Sequence, residues 1–261
     1  MTSDQNCQRE LFLDLILEAA RVVQDSKAEP LSAPKEAFGG ITQQGDLYAE
    51  TILFLMERLA IGFANLQTKN EAKQSLSPKA PQKLDLLINR MISSLHVDLT
   101  DSLAIVSSFI NLYESSLELR LVDSMSKIVK ASRPKKRHGQ FYTPLPLAKK
   151  VVATALGKLL SEGEYRSSGD LLNLKILDPA MGAGIFLICT IDFLEKWSAK
   201  FLKSAPPRSE LSKCVYGIDI DSSAWQVACL ALWLYCQGQP LGENKNKNLA
   251  PNLVKYECAN K

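Results

Sequence analysis

The sequence lacks the features that mark membrane-spanning, secreted and histidine-rich metal proteins. Its longest apolar run, Val227 to Cys236, is about half as long as a membrane span needs to be. The N-terminus carries no basic stretch followed by an apolar core, so we expect no secretory signal. The two histidines, His96 and His138, are too few for a histidine-rich metal centre. The sequence therefore predicts a cytoplasmic protein with no membrane segment and no metal site.

Paired cysteines and an excess of one charge are absent as well. No cysteine belongs to a Cys-x-x-Cys pair, and most lie in apolar segments, where a free thiol behaves as a small hydrophobic side chain. The six cysteines are Cys7, Cys189, Cys214, Cys229, Cys236 and Cys258. This pattern favours reduced, buried cysteines over a zinc site or a disulfide framework. The net charge of +3 is compatible with nucleic-acid binding but too small to indicate it.

The first half of the chain carries helical patterns and no pattern of a strand-rich sheet. Apolar residues recur at helical spacing over Leu11–Ala19 and Ile52–Phe63. Further apolar periodic stretches lie near Leu84–Leu95, Leu103–Tyr113 and Leu117–Val129. Polar connectors that contain proline separate the first three of these stretches from one another. We predict an N-terminal helical domain over residues 1–136.

A basic segment marks the junction that follows this domain. Arg133–His138 gathers basic residues around one proline. A solvated linker is the favoured interpretation, and a contact with phosphate is the alternative, because short basic runs are common in unrelated proteins. The second domain is predicted over residues 137–261.

In the second domain the pattern alternates between helix and strand. Helices are predicted over Leu145–Leu160, Gly184–Lys203 and Ser222–Gln237, and strands over Leu174–Asp178, Cys214–Ile220 and Leu253–Cys258. The first of these strands is short, apolar and expected to be buried. Alternating strands and helices imply right-handed crossovers and a parallel sheet. The predicted fold class is therefore α/β.

The strongest motif, Asp178–Leu187, lies between a predicted strand and a predicted helix. Gly182 and Gly184 let the backbone turn tightly and approach a ligand closely. The helix that follows directs free N–H groups at the same place, which suits a carboxylate. A dinucleotide-binding fold would have a third glycine near Leu187, and Asp178 would repel a pyrophosphate but attract an ammonium group. The motif favours a ligand with an amino-acid end over NAD; an ordinary tight turn is the alternative.

A second motif, Tyr216–Asp221, contains two acids at the end of the second predicted strand. Asp219 is predicted to accept hydrogen bonds from the hydroxyl groups of a ribose, because one carboxylate can accept two of them. Asp221 is predicted to cap the following helix. The spacing from the glycine motif exceeds the usual ~20 residues. The polar stretch Ser204–Lys213, interpreted as a surface loop, accounts for the excess.

A third motif, Gly139–Pro144, lies just before a predicted helix. Thr143 is predicted to cap that helix, with Pro144 at its first position. Taken alone, the aromatic pair and the hydroxyl group are also typical of a hydrophobic staple.

These motifs stand in the same order as those of adenine-specific DNA methyltransferases, including modification subunits and fused restriction-modification enzymes. Gly139–Pro144 resembles the N-terminal cofactor motif of that family, and Asp178–Leu187 resembles its glycine-rich motif. Leu112–Leu117 is similar to the Tyr-Glu-x-x-Leu helix that often precedes these domains. The resemblance implies a Rossmann-like class I methyltransferase domain dependent on S-adenosylmethionine (SAM), of which only the first half is present.

The resemblance also implies how the cofactor is held. Thr143 and Asp178 are expected to hold the methionine end of SAM, Asp219 its ribose, and Asn260 the edge of its adenine. The full set of expected cofactor-binding residues is Gln140, Phe141, Tyr142, Thr143, Asp178, Ala180, Gly182, Gly184, Phe186, Asp219, Ile220 and Asn260.

The motif that performs the chemistry in this family is missing from the sequence. The family presents Asn/Asp/Ser-Pro-Pro-Tyr/Phe to the exocyclic amine of a flipped adenine. The one Pro-Pro pair, Pro206-Pro207, follows Ala205 and precedes Arg208, so it offers neither the side-chain oxygen nor the ring. We therefore predict no catalytic residue in this chain and no methylation of DNA by the chain alone.

The missing motif leaves open what completes the protein. In the complete system we expect DNA as the substrate and a second polypeptide that supplies the catalytic half and target recognition. Without the missing strands, the first strand of the sheet would be an exposed, apolar edge. Two alternatives remain: a methyltransferase for RNA, protein or a small molecule, and a non-catalytic remnant or interaction subunit that binds SAM or a partner chain.

Overall fold

The computed structural model describes residues 3–28, 47–67, 82–122, 127–130, 143–236 and 253–255. The described residues before Gly139 fall in one compact unit, and those from Gly139 onward fall in a second.

The described part of the first unit contains four helices, two of them longer than 20 residues, and one pair of strands. The helices are α1 (Ser3–Ala28), α2 (Leu47–Gln67), α3 (Gln82–Ser94) and α4 (Ser102–Ser116). Helix α1 packs against α2 and α3, and α2 also packs against α4. The core includes the fully buried side chains of Leu15, Leu55, Phe63 and Phe109. The helices predicted over the first four apolar periodic stretches are confirmed.

The prediction of a fifth helical stretch over Leu117–Val129 is wrong. Strands β1 (Leu119–Val122) and β2 (Lys127–Lys130) pair as an antiparallel hairpin there, with Leu119 opposite Lys130. β1 alternates leucine with a charged residue and both strands carry β-branched side chains, which favour the extended backbone once the two strands pair.

The Tyr-Glu-x-x-Leu motif begins in the last turn of α4. One carboxylate oxygen of Glu114, Oε2, is buried and has no hydrogen-bond partner among the described residues. Because burial disfavours the charged form, it raises the pKa of Glu114 to about 7.

The second unit alternates helices with a parallel sheet. Its elements are α5 (Leu145–Glu162), α6 (Ser168–Leu172), β3 (Ile176–Asp178), α7 (Ile185–Phe201), α8 (Arg208–Leu211), β4 (Val215–Asp219), α9 (Ser222–Cys236) and β5 (Leu253–Lys255). The sheet order is β3-β4-β5, with Asp178 opposite Gly217 and Asp219 opposite Lys255. All three predicted strands and all three predicted helices of this half are present, within a few residues of their predicted ends.

Strand β3 lies at the edge of this sheet, and among the described residues it pairs with β4 alone. Ile176 is half-buried and the side chain of Leu177 is 56% exposed. The expectation of a buried first strand is therefore wrong, since Leu177 is an exposed apolar side chain on this strand. An edge strand keeps one row of backbone N–H and C=O groups available for another strand.

The stretch Ser204–Lys213 is more ordered than the predicted surface loop. It contains the single turn of α8 and the start of a 3-10 turn over Ser212–Cys214. Pro207 precedes the first helical residue, and the side chain of Leu211 is fully buried. The prediction of a plain loop is wrong because one apolar residue anchors the turn in the core. Pro206-Pro207 itself lies outside any helix, as expected.

Helices α5, α7 and α9 build the core of the second unit. Helix α7 packs against both α5 and α9. Cys189, Cys214 and Cys229 are buried free thiols, as predicted, whereas Cys7 is exposed and Cys258 lies outside the described residues. Burial raises the pKa of Cys229 to about 12, so this thiol stays neutral. In the part of the chain that the structure describes, no helix is long and apolar enough to cross a membrane.

Candidate cofactor-binding site

A tight loop joins the end of β3 to the start of α7 and contains both glycines of the predicted motif. Gly182 has φ +56° and Gly184 has φ +87°, values that side-chain-bearing residues rarely adopt. The N–H of Gly184 donates to the carbonyl of Met181 at 2.9 Å, which closes the turn. The sequence therefore needs glycine at these two positions for conformational reasons.

The two glycines differ in what surrounds them. A Cβ atom at Gly184 would lie 3.2 Å from the Cβ of Ala228, so Gly184 lets the loop pack closely on α9. A Cβ atom at Gly182 would meet no atom within 4 Å. The backbone at Gly182 therefore has open space on the side where its Cβ would be, and a ligand can approach there.

A third glycine, Gly217 in β4, leaves room for a side chain of this loop to pack against the sheet. A Cβ atom there would overlap the Sδ atom of Met181 and lie 2.9 Å from side-chain atoms of Leu187 and Leu253. Met181 is 3% exposed, and its N–H donates to the carbonyl of Ile218 at 3.1 Å. The sequence did not predict that Met181 packs against β4 at Gly217. The glycine just before Ile218-Asp219 was nevertheless a signal that another segment approaches β4 closely.

The structure brings Asp219 and the glycine loop together. The Oδ2 atom of Asp219 accepts a hydrogen bond from the N–H of Gly182 at 2.8 Å. The Oδ1 atom accepts one from the N–H of Asp221, also at 2.8 Å. The carboxylate thus lies at the point where the loop after β3 meets the end of β4.

Asp178 carries a carboxylate oxygen with an unmet hydrogen-bonding capacity. Its Oδ1 atom accepts a hydrogen bond from the N–H of Ala180 at 3.1 Å. Its Oδ2 atom is buried and has no partner among the described residues. Burial raises the pKa of Asp178; the hydrogen bond from Ala180 opposes this, and the negative charge of Asp219 adds to the rise. A buried carboxylate of this kind is stabilised by a cation or a hydrogen-bond donor.

Helix α9 starts beside these carboxylates. Asp221 caps it as predicted, since its Oδ1 atom accepts hydrogen bonds from the N–H groups of Ser223 at 2.8 Å and Ala224 at 3.4 Å. In the first turn, the indole Nε1 of Trp225 is buried and has no hydrogen-bond partner among the described residues. No pattern in the sequence pointed to this donor.

The predicted cap of α5 is wrong by one position. The helix begins at Leu145 and its N-cap is Pro144, with no side-chain cap hydrogen bond. The carbonyl of Pro144 accepts the first hydrogen bonds, from the N–H groups of Leu147 at 2.9 Å and Ala148 at 3.1 Å. Pro146 explains the shift, because a second proline fits the first turn of a helix, where no N–H group is needed. Thr143 lies just before the helix and is half-buried.

The remaining predicted site residues divide into two groups. Ala180 is exposed, Phe186 is half-buried in the first turn of α7, and Ile220 is 47% exposed next to Asp219. Gln140, Phe141, Tyr142 and Asn260 lie outside the described residues. The structure brings Asp178, the two loop glycines and Asp219 together at the carboxyl ends of β3 and β4. Among the described side chains, no group of three His, Cys, Asp or Glu is placed to hold a metal ion.

Comparison with known proteins gives one family match and two structural likenesses. The family model of the N-6 DNA methylases matches residues 126–239, which include β2 and the elements from α5 to α9. No curated protein matches the chain.

The two structural likenesses are to much longer chains. One is the cryoEM structure of the DrdV–DNA complex, at 16% identity and a TM-score of 0.48, with 96% of this chain and 25% of that chain covered. The other is the ATP-dependent Type ISP restriction-modification enzyme LlaBIII bound to DNA, at 11% identity and a TM-score of 0.41, with 96% of this chain and 17% of that chain covered. The chain thus spans a quarter or less of the length of either. Over residues 126–239, the family match confirms the resemblance to adenine-specific DNA methyltransferases that the motifs indicated.

Proposed function

We propose that the second unit binds SAM and forms the cofactor-binding part of an N6-adenine DNA methyltransferase of the restriction-modification type. The observation that carries the proposal is the meeting of a glycine loop and two carboxylates at the carboxyl ends of β3 and β4. The N–H of Gly182 lies 2.8 Å from Asp219 Oδ2, and Asp178 ends the neighbouring strand. Ligands of open parallel sheets bind at such strand ends. The fold proposed is the first half of a Rossmann-like class I methyltransferase domain.

The residues at Asp178 fit the amino-acid end of SAM. A ligand ammonium group would satisfy the buried Oδ2 atom of Asp178, which lacks a partner among the described residues. The first N–H groups of α7 have no acceptor within the helix, and they suit the carboxylate of the same ligand. The open side of Gly182 leaves the backbone accessible. Thr143, just before α5, is the proposed hydroxyl contact to this end of the cofactor.

The residues around Asp219 fit the ribose of SAM. A carboxylate offers about four acceptor sites, and Asp219 uses one on each oxygen for a backbone N–H. One site on each oxygen therefore remains for a ligand hydroxyl. Ala180 and Ile220 are exposed beside these acids, and with Phe186 they are proposed to contact the nucleoside. By the family resemblance alone, Gln140, Phe141, Tyr142 and Asn260 complete the set.

The family match supports DNA as the substrate class and adenine N6 as the position modified. Bound SAM would supply the methyl group. The amine-accepting Asn/Asp/Ser-Pro-Pro-aromatic motif is absent from residues 1–261, so we propose that a polypeptide segment outside these residues supplies it. Strand β3 has no second partner strand within the part of the chain that the structure describes, and this edge with the exposed Leu177 supports an added strand there. A cytoplasmic location, where DNA and SAM meet, is part of the proposal.

The same edge favours a second candidate, a non-catalytic subunit that binds SAM or a partner chain. The two candidates share the cofactor site and differ in whether the assembled protein transfers a methyl group. Co-expression with the polypeptide encoded next to this chain, followed by an assay for N6-methyladenine, separates them.

The test of the proposed site is calorimetry with the purified chain. We expect SAM to bind and NAD to fail to compete, because Asp178 would repel a pyrophosphate. Asp219→Ala should weaken the binding of SAM. Its matched control is Glu164→Ala, which removes a carboxylate of the same unit whose side chain is 84% exposed and should leave the affinity for SAM unchanged. Absence of SAM binding, or displacement of SAM by NAD at similar concentration, would refute the proposal.

A further inference from the structure

One carboxylate ties the glycine loop to the start of α9. Asp219 accepts from the N–H of Gly182 through Oδ2 and from the N–H of Asp221 through Oδ1, each at 2.8 Å. Asp221 in turn caps α9 through its own side chain. The loop after β3 and the turn after β4 therefore share a single side chain as their hydrogen-bond acceptor.

No side chain crowds the open side of Gly182. Its φ of +56° lies in the left-handed region, and no atom lies within 4 Å of the position of a Cβ. The neighbouring loop residues are different, because Met181 is buried and Gly184 packs against Ala228. Glycine has more backbone freedom to lose than any other residue. The turn hydrogen bond from Gly184 to Met181 and the hydrogen bond from Gly182 to Asp219 therefore both restrict Gly182.

The acceptor is charged, which makes this contact stronger than an ordinary turn hydrogen bond. Hydrogen bonds to ionised acceptors are roughly twice as strong as neutral ones. The bond from Met181 to the carbonyl of Ile218, at 3.1 Å, is of the neutral kind and fixes the adjacent residue. The loop therefore has a neutral hydrogen bond at Met181 and a charged one at Gly182, both to β4.

We propose that Asp219 is a positioning residue for the glycine loop in addition to being an acceptor for the ligand. It holds Gly182 in the left-handed conformation before any ligand arrives, so that the loop is already shaped for binding. A preorganised loop lowers the cost of ordering on binding. One carboxylate then couples two parts of the site: it accepts from the ribose of the ligand, and it shapes the loop that faces the amino-acid end of the same ligand. The contact between Asp219 and a ribose rests on the proposed function, whereas the positioning of Gly182 by Asp219 does not.

The test measures amide hydrogen exchange of the full chain without ligand by ¹H–¹⁵N NMR. The variants are Asp219→Ala and Asp219→Leu, of which the second keeps the branched shape and the number of side-chain heavy atoms and removes both acceptors. In both we expect the exchange of the Gly182 amide to accelerate about ten-fold or more. Its proton resonance should also move upfield as the charged acceptor is lost. The Met181 amide, whose acceptor is the Ile218 carbonyl, serves as the internal reference and should not change.

The matched control is Asp221→Ala, which removes a carboxylate two residues away that accepts hydrogen bonds from Ser223 and Ala224 in α9. It should leave the exchange of Gly182 as in the wild type. Unchanged Gly182 exchange in both Asp219 variants would overturn the proposal. General loss of protection in both variants, Met181 included, would overturn it too, because Asp219 would then support the whole unit. If calorimetry finds no SAM binding while Gly182 responds as expected, the proposed function fails and the positioning role stands.

Discussion

The sharpest test of how the site is built is Gly217→Ala. Gly217 lies in β4 opposite Asp178 of β3 and Leu253 of β5. The added methyl group would overlap the Sδ atom of Met181 and come within 2.9 Å of Leu187 and Leu253. Three side chains from the loop, α7 and β5 must therefore move at once. Met181 has little room to do so, since it is 3% exposed.

The expected cost follows from these contacts. Overpacking a filled core costs about 1–3 kcal/mol, and alanine recovers about 0.4–1 kcal/mol by restricting the unfolded chain. We therefore expect a net loss of about 1–2 kcal/mol in the free energy of unfolding. This corresponds to a fall in melting temperature of roughly 4 °C or more for a unit of this size. The affinity for SAM should fall as well, because Met181 belongs to the glycine loop.

The assay is thermal unfolding followed by circular dichroism, with Gly157→Ala as the matched control. A Cβ at Gly157, in α5, would lie 3.9 Å from the Cζ of Phe193, an ordinary contact, so this helical variant should stabilise the protein by about 0.5–1 kcal/mol. Combining Gly217→Ala with Met181→Ala should cost less than the sum of the two single changes, because the truncation makes room for the methyl group. A melting temperature for Gly217→Ala equal to or above that of the wild type would refute the reasoning.

Four further results are expected. Asp219→Ala should lower the affinity for SAM ten-fold or more, since a hydrogen bond to a charged group is worth about 1.5–3 kcal/mol; calorimetry measures this, and unchanged affinity would contradict the assignment. Gly184→Val should abolish SAM binding, because its φ of +87° and the nearby Ala228 force the loop to shift; wild-type affinity in equilibrium dialysis would mean that the loop is only a turn. Residues 1–261 alone, given labelled SAM and mixed-sequence DNA, should form no N6-methyladenine, and robust transfer would show that other residues supply the amine acceptor. The free energy of unfolding should fall as the pH rises from about 4.5 to about 7. The pKa of Glu114 is raised from 4.5 to about 7 in the folded chain, so the folded state binds more protons than the unfolded state over this range. Urea denaturation at several pH values measures this dependence; Glu114→Gln should flatten it, and an unchanged slope would contradict the assignment.

Several features follow from the sequence because they depend on neighbours along the chain. Helical spacing of apolar residues places α1 to α4, and strand–helix alternation places β3 to β5 with their helices. Asp221 is identifiable as a cap because capping joins residues two or three positions apart. The glycine motif is recognisable because a tight turn before a helix is itself a local structure.

Local signals also led to errors where two local structures compete. The stretch after α4 is apolar at a spacing that fits helix and strand alike, and pairing of β1 with β2 decides between them. The N-cap of α5 is Pro144 and not Thr143 as predicted, because Pro144 and Pro146 both fit a helix start.

Tertiary structure alone decided how the site is assembled. The bond from Gly182 to Asp219 joins residues 37 positions apart, and the contact of Met181 with Gly217 also depends on the pairing of β3 with β4. The unmet acceptor of Asp178 and its raised pKa arise from burial and from the charge of Asp219 on the next strand. None of these is readable from sequence, because burial and pairing depend on which distant segments pack together, whereas capping and turn formation depend only on the adjacent chain.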